Sequence, residues 1–125
     1  MHSGLDFGVE IIPAGGTAVV AVRGDVDLAS APRVVEALTA AVENHPAVLV
    51  DLCECTFMDS VGIGTVLSAA RQAKARDVRF AVACTPGGAP QALFDLVIGH
   101  TLFATSPTRE AGLEALGASA PDARR

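Results

Sequence analysis

Fourteen Asp and Glu against nine Lys and Arg give this 125-residue chain a formal charge of -5. Half of it is hydrophobic and only 18% is charged, which excludes a disordered chain and fits one domain with a substantial core. With five Phe, no Tyr and no Trp, the core is aliphatic, and the acidic balance excludes the basic face or stacking platform of a direct nucleic-acid binder.

In chain order, Phe7 to Ile12 reads as a first strand stopped by Pro13, and Ala14-Gly15-Gly16 as a turn. Thr17 to Arg23, rich in β-branched residues and closed by Gly24, completes a hairpin. Asp25-Val26-Asp27-Leu28-Ala29-Ser30 follows as an acidic loop. Ser30 stands at an N-cap position two residues before Pro32. Val34, Val35, Leu38, Ala41 and Val42 then recur at helical spacing until Asn44-His45-Pro46. The run Ala47 to Leu52 is nearly all apolar, as in a strand buried on both faces. Ile63, Val66, Leu67 and Ala70 mark one side of a second helix, with Arg71, Lys74 and Arg76 in its later turns.

Val78 to Cys84 reads as another strand, Pro86 to Pro90 as a loop, and Leu93, Phe94 and Val97 as a third helix ending near Gly99. Leu102-Phe103-Ala104 suits a brief last strand. Ser106-Pro107 suits an N-cap and first helical residue, and Gly117 a stop. The pattern predicts a single α/β domain over 1–117. Its sheet is mixed, largely parallel and four- to five-stranded, with about four helices packed on it, and 118–125 is a frayed tail.

The opening Met1 to Asp6 lacks a basic segment followed by an apolar run, and no stretch approaches the roughly 18 apolar residues of a membrane span. Cys53, Cys55 and Cys84 make an odd count that argues against a disulfide framework. The expectation is a reduced, cytoplasmic protein without membrane contact. Cys53-x-Cys55 has the look of a metal-ligand pair, but no second close pair accompanies it and the three His are scattered, so packing thiols are expected.

The most informative stretch runs from Asp51 to Gly64, from the end of the buried strand into the second helix. Ser60 falls where an N-cap is expected. Such a serine lies beside free N–H groups and the positive end of the helix dipole, a favourable place for an added phosphate. Gly62-x-Gly64 lacks the third glycine of a dinucleotide fingerprint, Leu67 standing in its place, and reads as a site of close helix packing. No Gly-x-Ser-x-Gly elbow surrounds Ser60, and no phosphate-binding glycine loop ending in Lys-Ser/Thr occurs.

Phe57-Met58-Asp59-Ser60-Val61-Gly62-Ile63-Gly64 resembles the signature of the STAS-domain anti-sigma factor antagonists: an apolar pair, Asp, a phosphorylatable Ser, a second Ser or Thr, then Gly-Leu-Gly. Upstream, Gly24-Asp25-Val26-Asp27 is similar to the family's Gly-Glu-Leu-Asp, and Leu93-Phe94-Asp95 to its Leu-Phe segment. The strand and helix order agrees over about residues 5 to 117. The resemblance implies a STAS-like fold and a switch protein rather than an enzyme. Its unmodified form binds an anti-sigma factor that is also a serine kinase, which frees the sigma factor. Phosphorylation dissociates the pair and a serine phosphatase resets it.

By position, Ser60 is the implied phosphoacceptor. Asp25, Asp27, Asp59, Val61 and Gly62 are assigned to the partner-binding surface. No cofactor belongs to the chain, since ATP and Mg²⁺ are the kinase's. Val61 departs from the family pattern, having no hydroxyl to accept phosphate. Two other readings use the same residues. A small-molecule or scaffold module without a phosphoswitch would draw on Val61 and on a cleft at Gly87-Gly88. An enzyme would use Asp25, Asp27 and Asp59 to hold a divalent metal.

Overall fold

β1 (Gly8–Ala14) and β2 (Thr17–Val26) form the predicted antiparallel hairpin around Gly15-Gly16. Pro13 does not end β1. It pairs with Ala18, and a residue without an N–H is tolerated there because β1 bonds to one neighbour only, at the sheet edge. Nor does Gly24 end β2. It adopts φ +84°, a left-handed conformation that favours glycine, and the strand continues through a register irregularity to Val26. Asp25 and Val26 therefore belong to the strand, not to a loop.

The computed structural model describes residues 6–88, 90 and 103–118. After β2 come α1 (Ala31–Asn44), β3 (Ala47–Met58), α2 (Ser60–Ala75), β4 (Arg79–Ala83), β5 (Ala104–Ser106) and α3 (Arg109–Ala118). The helix expected at Leu93, Phe94 and Val97, the Leu93-Phe94-Asp95 motif and residues 119–125 of the expected tail lie outside the described residues. The sheet order is β1-β2-β3-β4-β5, with only β1 antiparallel, which is the mixed, largely parallel sheet predicted.

The apolar run of β3 is buried on both faces, as its composition predicts. Val48, Val50 and Leu52 join Val20, Val22 and Val82 in a large core under α1 and α2. Leu49 joins Val19, Ala81 and Leu116 in a smaller core under α3. An ion pair reinforces that second face: Arg109 Nε reaches the buried Asp51 carboxylate at 2.7 Å, and Asp51 also accepts from Cys53 N. A carboxylate so buried is tolerated because it is both paired and hydrogen-bonded.

The last helix start and one residue of α1 differ from the sequence reading. Ser106 is not an N-cap. It lies in β5, paired with Ala83, while its carbonyl accepts from Cys84 N. Thr108 takes the capping role, its hydroxyl accepting from Ala111 N. In α1, Val34, Leu38, Ala41 and Val42 are buried as expected, but Val35 is 45% exposed.

Candidate functional site

β2 and β3 end side by side, their last pair being Val26 with Met58. β3 is twice as long as its apolar run because two irregularities hide its continuation: three steps of β3, Asp51 to Glu54, oppose two of β2, and Cys55 to Phe57 oppose one. Such bulges re-aim side chains. They send Cys53 to the core under α3 and Cys55 to the core under α1 and α2, so the Cys-x-Cys pair does not converge. Burial, then the hydrogen bond with Asp51, pushes the Cys53 thiol up to about 12. Burial also raises Cys55, to about 11, against an opposing effect of the Phe57 backbone. Raised in this way, both sulfurs favour the protonated thiol at neutral pH.

An aspartate follows each strand end. Asp27 Oδ1 accepts from Ala29 N and Ser30 N, folding the short loop before α1. Ser30 makes no side-chain capping bond to α1. Its hydroxyl accepts from Asp27 N and donates towards Asp25 O and Asp27 Oδ1. Asp25, a residue earlier in β2, accepts a 2.6 Å bond from Thr56 across to β3.

At the second strand end the cap is Asp59, not Ser60. Asp59 N donates to Val26 O, which holds the residue in extended geometry at φ -98° and ψ -171°. Its carboxylate then reaches the free N–H groups of Val61 and Gly62 at 3.0 and 3.1 Å. Ser60 becomes the first helical residue. It is exposed, and none of the described residues holds its hydroxyl. An added phosphate would therefore find the adjacent N–H groups already taken by a carboxylate, and would extend into solvent or towards a partner.

Val61 follows at 39% exposure. Gly62 is buried, since a Cβ there would meet Met58 Cγ at 2.6 Å, Val26 Cγ1 at 3.0 Å and the Val26 carbonyl at 3.1 Å. Its part in the site is to bring α2 close to the ends of β2 and β3. Gly64 does not share that part, because a Cβ there meets nothing within 4 Å.

The structure thus gathers Asp25, Asp27, Asp59, Ser60, Val61 and Gly62 at one end of the sheet. Their carboxylates are turned to the backbone and to Thr56 rather than to a common point. Among the described residues no three His, Cys, Asp or Glu side chains converge as a metal site. Sequence reading missed Leu28 and Val35. With Ala31, Pro32, Val61 and Thr65 they line a groove between the starts of α1 and α2. The available signal was apolar excess: a Leu inside an acidic loop, and a Val beside an already complete helical stripe. The groove that Val61 lines does not include Gly87 or Gly88.

Among the described residues no helix is long and apolar enough to cross a membrane. No match is found among the curated proteins. Of solved structures, an anti-sigma factor antagonist from Mycobacterium paratuberculosis is similar at 26% identity and a TM-score of 0.83, over 90% of this chain and 95% of that one. The anti-sigma factor antagonist SpoIIAA in its unphosphorylated form shares the fold at 19% identity and a TM-score of 0.68, over 90% and 98% of the two chains. A Ser→Glu variant of RsbS from Moorella thermoacetica does so at 18% and 0.76, over 90% and 97%. The family model described as "Mlab, STAS domain" matches residues 13–98, more than half of the sequence, and the chain belongs to the STAS-domain family.

Proposed function

We propose that this protein is an anti-sigma factor antagonist working by partner switching in the cytoplasm. Its unmodified form binds an anti-sigma factor with serine kinase activity, and phosphorylation of Ser60 ends the complex. The observation that carries this reading is the state of Ser60: exposed, with no hydrogen bond to a described residue, at the head of α2 beside a half-buried carboxylate. The likeness to solved anti-sigma factor antagonists supports the general role.

In the transfer step, the Ser60 oxygen forms a bond to the γ-phosphorus of ATP held by the kinase. The bond to the β-phosphate oxygen breaks, and the hydroxyl proton passes to a base of the kinase. A phosphatase returns the hydroxyl by hydrolysis. The product carries roughly -1.5 to -2 charges at neutral pH. The helix dipole offsets only about 0.3–1 kcal/mol of the resulting strain in the free protein. Opposite one fixed carboxylate about 6 Å away across an interface, the same dianion costs on the order of 1–5 kcal/mol. That corresponds to ~10- to several-thousand-fold in affinity, enough to release a partner while the fold persists.

The test is calorimetric titration of the wild type, Ser60→Ala and Ser60→Asp against purified anti-sigma factor kinases of the organism of origin, with phosphosite mapping by mass spectrometry. Wild type and Ser60→Ala should bind, Ser60→Asp should not, and phosphate should appear on Ser60 alone. Equal binding by Ser60→Asp would remove the charge-release mechanism, and phosphate appearing elsewhere would remove Ser60 as acceptor.

A further inference from the structure

β1 is the long edge of the sheet, while β5 at the opposite edge has only Ala104–Ser106 to offer. In the hairpin Ala14 faces Thr17 across the two-residue turn, so Ala14, Ile12, Glu10 and Gly8 exchange bonds with β2. The alternate residues Val9 and Ile11 turn their N–H and C=O groups outward. Pro13 falls in the outward set and brings no N–H. It guards its own end of the edge and leaves the stretch before it open to pairing.

That stretch carries features a guarded edge lacks. Ile11 is 39% exposed on it. Glu10 and Arg23 are both exposed, line one pocket with Gly8, and form no ion pair with a described residue. The Arg23 guanidinium does not turn to Glu54, its register partner on β3. It reaches the other way, over β1, and lies where a Cβ on Gly8 would stand. Arg109, the other cation of this pocket, is already held by Asp51.

We propose that a second copy of this chain adds to this edge, β1 against β1, antiparallel about a two-fold axis at Val9. In that register Val9 faces Val9, and Ile11 faces Phe7 of the second copy. Every outward N–H and C=O of those residues then finds a partner, and Pro13 stays outside the pairing. Glu10 faces Gly8 of the second copy, the one position of the strand without a side chain, where the second copy's Arg23 guanidinium already lies. Ile11 is covered by a Phe7 ring that the Arg33 guanidinium holds at 4.9 Å. The axis repeats each contact.

The chemistry of the strand selects this register. An axis moved to Ile11 sets Pro13 against Val9, which loses a backbone bond on each side, and sets Glu10 against Ile12 with no cation in reach. The charge of -5 on each copy is spread over the molecule and screened beyond about 10 Å at 0.1 M salt, whereas Glu10 and Arg23 meet in contact. The contact uses no residue of the Ser60 site.

The experiment is sedimentation of the full chain from about 10 µM to 1 mM, where the wild type should show a monomer–dimer equilibrium. Glu10→Arg sets two guanidinium groups together and Arg23→Glu two carboxylates, so each should weaken the dimer about 10-fold or more. Mixing these two single variants sets opposite charges together again and should restore the wild-type affinity, as should the double variant Glu10→Arg with Arg23→Glu. Recovery on mixing requires folded chains, so it separates a lost contact from a lost fold. Ser60→Asp should dimerise as the wild type does. A wild type that stays monomeric to about 1 mM overturns the proposal. So does a dimer that both charge reversals leave unchanged, or whose single variants do not recover on mixing. Loss of the dimer in Ser60→Asp would place the contact at the α2 end of the sheet and overturn the edge pairing.

Discussion

The two strand-to-helix junctions at this end of the sheet begin alike and finish differently. Each strand closes on the Val26–Met58 pair, each is followed by an aspartate whose carboxylate accepts backbone N–H groups, and each has a serine close to the first turn of a helix. At the α1 junction three residues intervene, and Ser30 folds back so that its hydroxyl bonds to Asp27 and Asp25. At the α2 junction nothing intervenes. Asp59 caps the helix itself, and Ser60 is left on the surface with its hydroxyl unheld by any described residue. A serine near a helix start is thus structural or available according to where its neighbouring aspartate lies: set back from the helix, the aspartate binds the serine hydroxyl, and next to it, the aspartate caps the helix and leaves the serine out. The position of the acid decides it, not the serine.

The sharpest way to break the comparison is to move α2 bodily. Gly62→Ala puts a Cβ against Met58, Val26 Cγ1 and the Val26 carbonyl. The Met58 side chain can yield but the carbonyl cannot easily, so a loss of about 1–3 kcal/mol is expected in urea unfolding. Ser30→Ala comes next. It removes the acceptor for Asp27 N and the donor to Asp25 O, and should cost about 1–2 kcal/mol while leaving Ser60 phosphorylation intact. Asp59→Ala should cost ~1 kcal/mol as a lost N-cap. Equal stability of Asp59→Ala and wild type would show that the α2 junction does not depend on its aspartate, and the contrast between the two serines would lose its cause.

Gly64→Ala should act in the other direction. The position is helical, exposed and open around its absent Cβ, so the substitution should stabilise the protein by roughly 0.5–1 kcal/mol, read as a raised melting temperature. A destabilised Gly64→Ala would mean that both glycines of the signature serve packing, as their spacing alone suggests.

The central sheet was legible because burial on both faces leaves an apolar run that few other structures produce, as in Ala47 to Leu52. Its continuation to Met58 was not, because two bulges scramble the alternation that would reveal it. Capping was legible only to within a residue or two. Asp59 and Ser60 are both good caps by type, and the bond from Asp59 N to Val26 O, a tertiary contact, settles which one is still extended. Ser106 and Thr108 posed the same choice, decided by the pairing of Ser106 with Ala83. Val35 fitted the helical stripe of α1 by count, yet which apolar residue stays outside depends on how α1 sits against α2. The groove was therefore the least readable part of the site, being made by three segments distant in sequence.

The smallest expected thermodynamic effect is the most informative. Ser60→Ala removes a hydroxyl that no described residue holds, from the first position of a helix whose N–H groups are already met by Asp59. Its stability should change by less than about 0.5 kcal/mol, as for surface substitutions that touch no special feature. Ser30→Ala, one junction away and chemically the same change, should unfold more easily. If the two variants melt together, the hydroxyls are equivalent and nothing in the fold singles out Ser60. If only Ser30→Ala is destabilised while only Ser60→Ala loses phosphate incorporation, stability and switching are carried by separate serines. The fold can then stay unaltered as charge is added and removed, because the acid that completes the helix is not the residue that is modified.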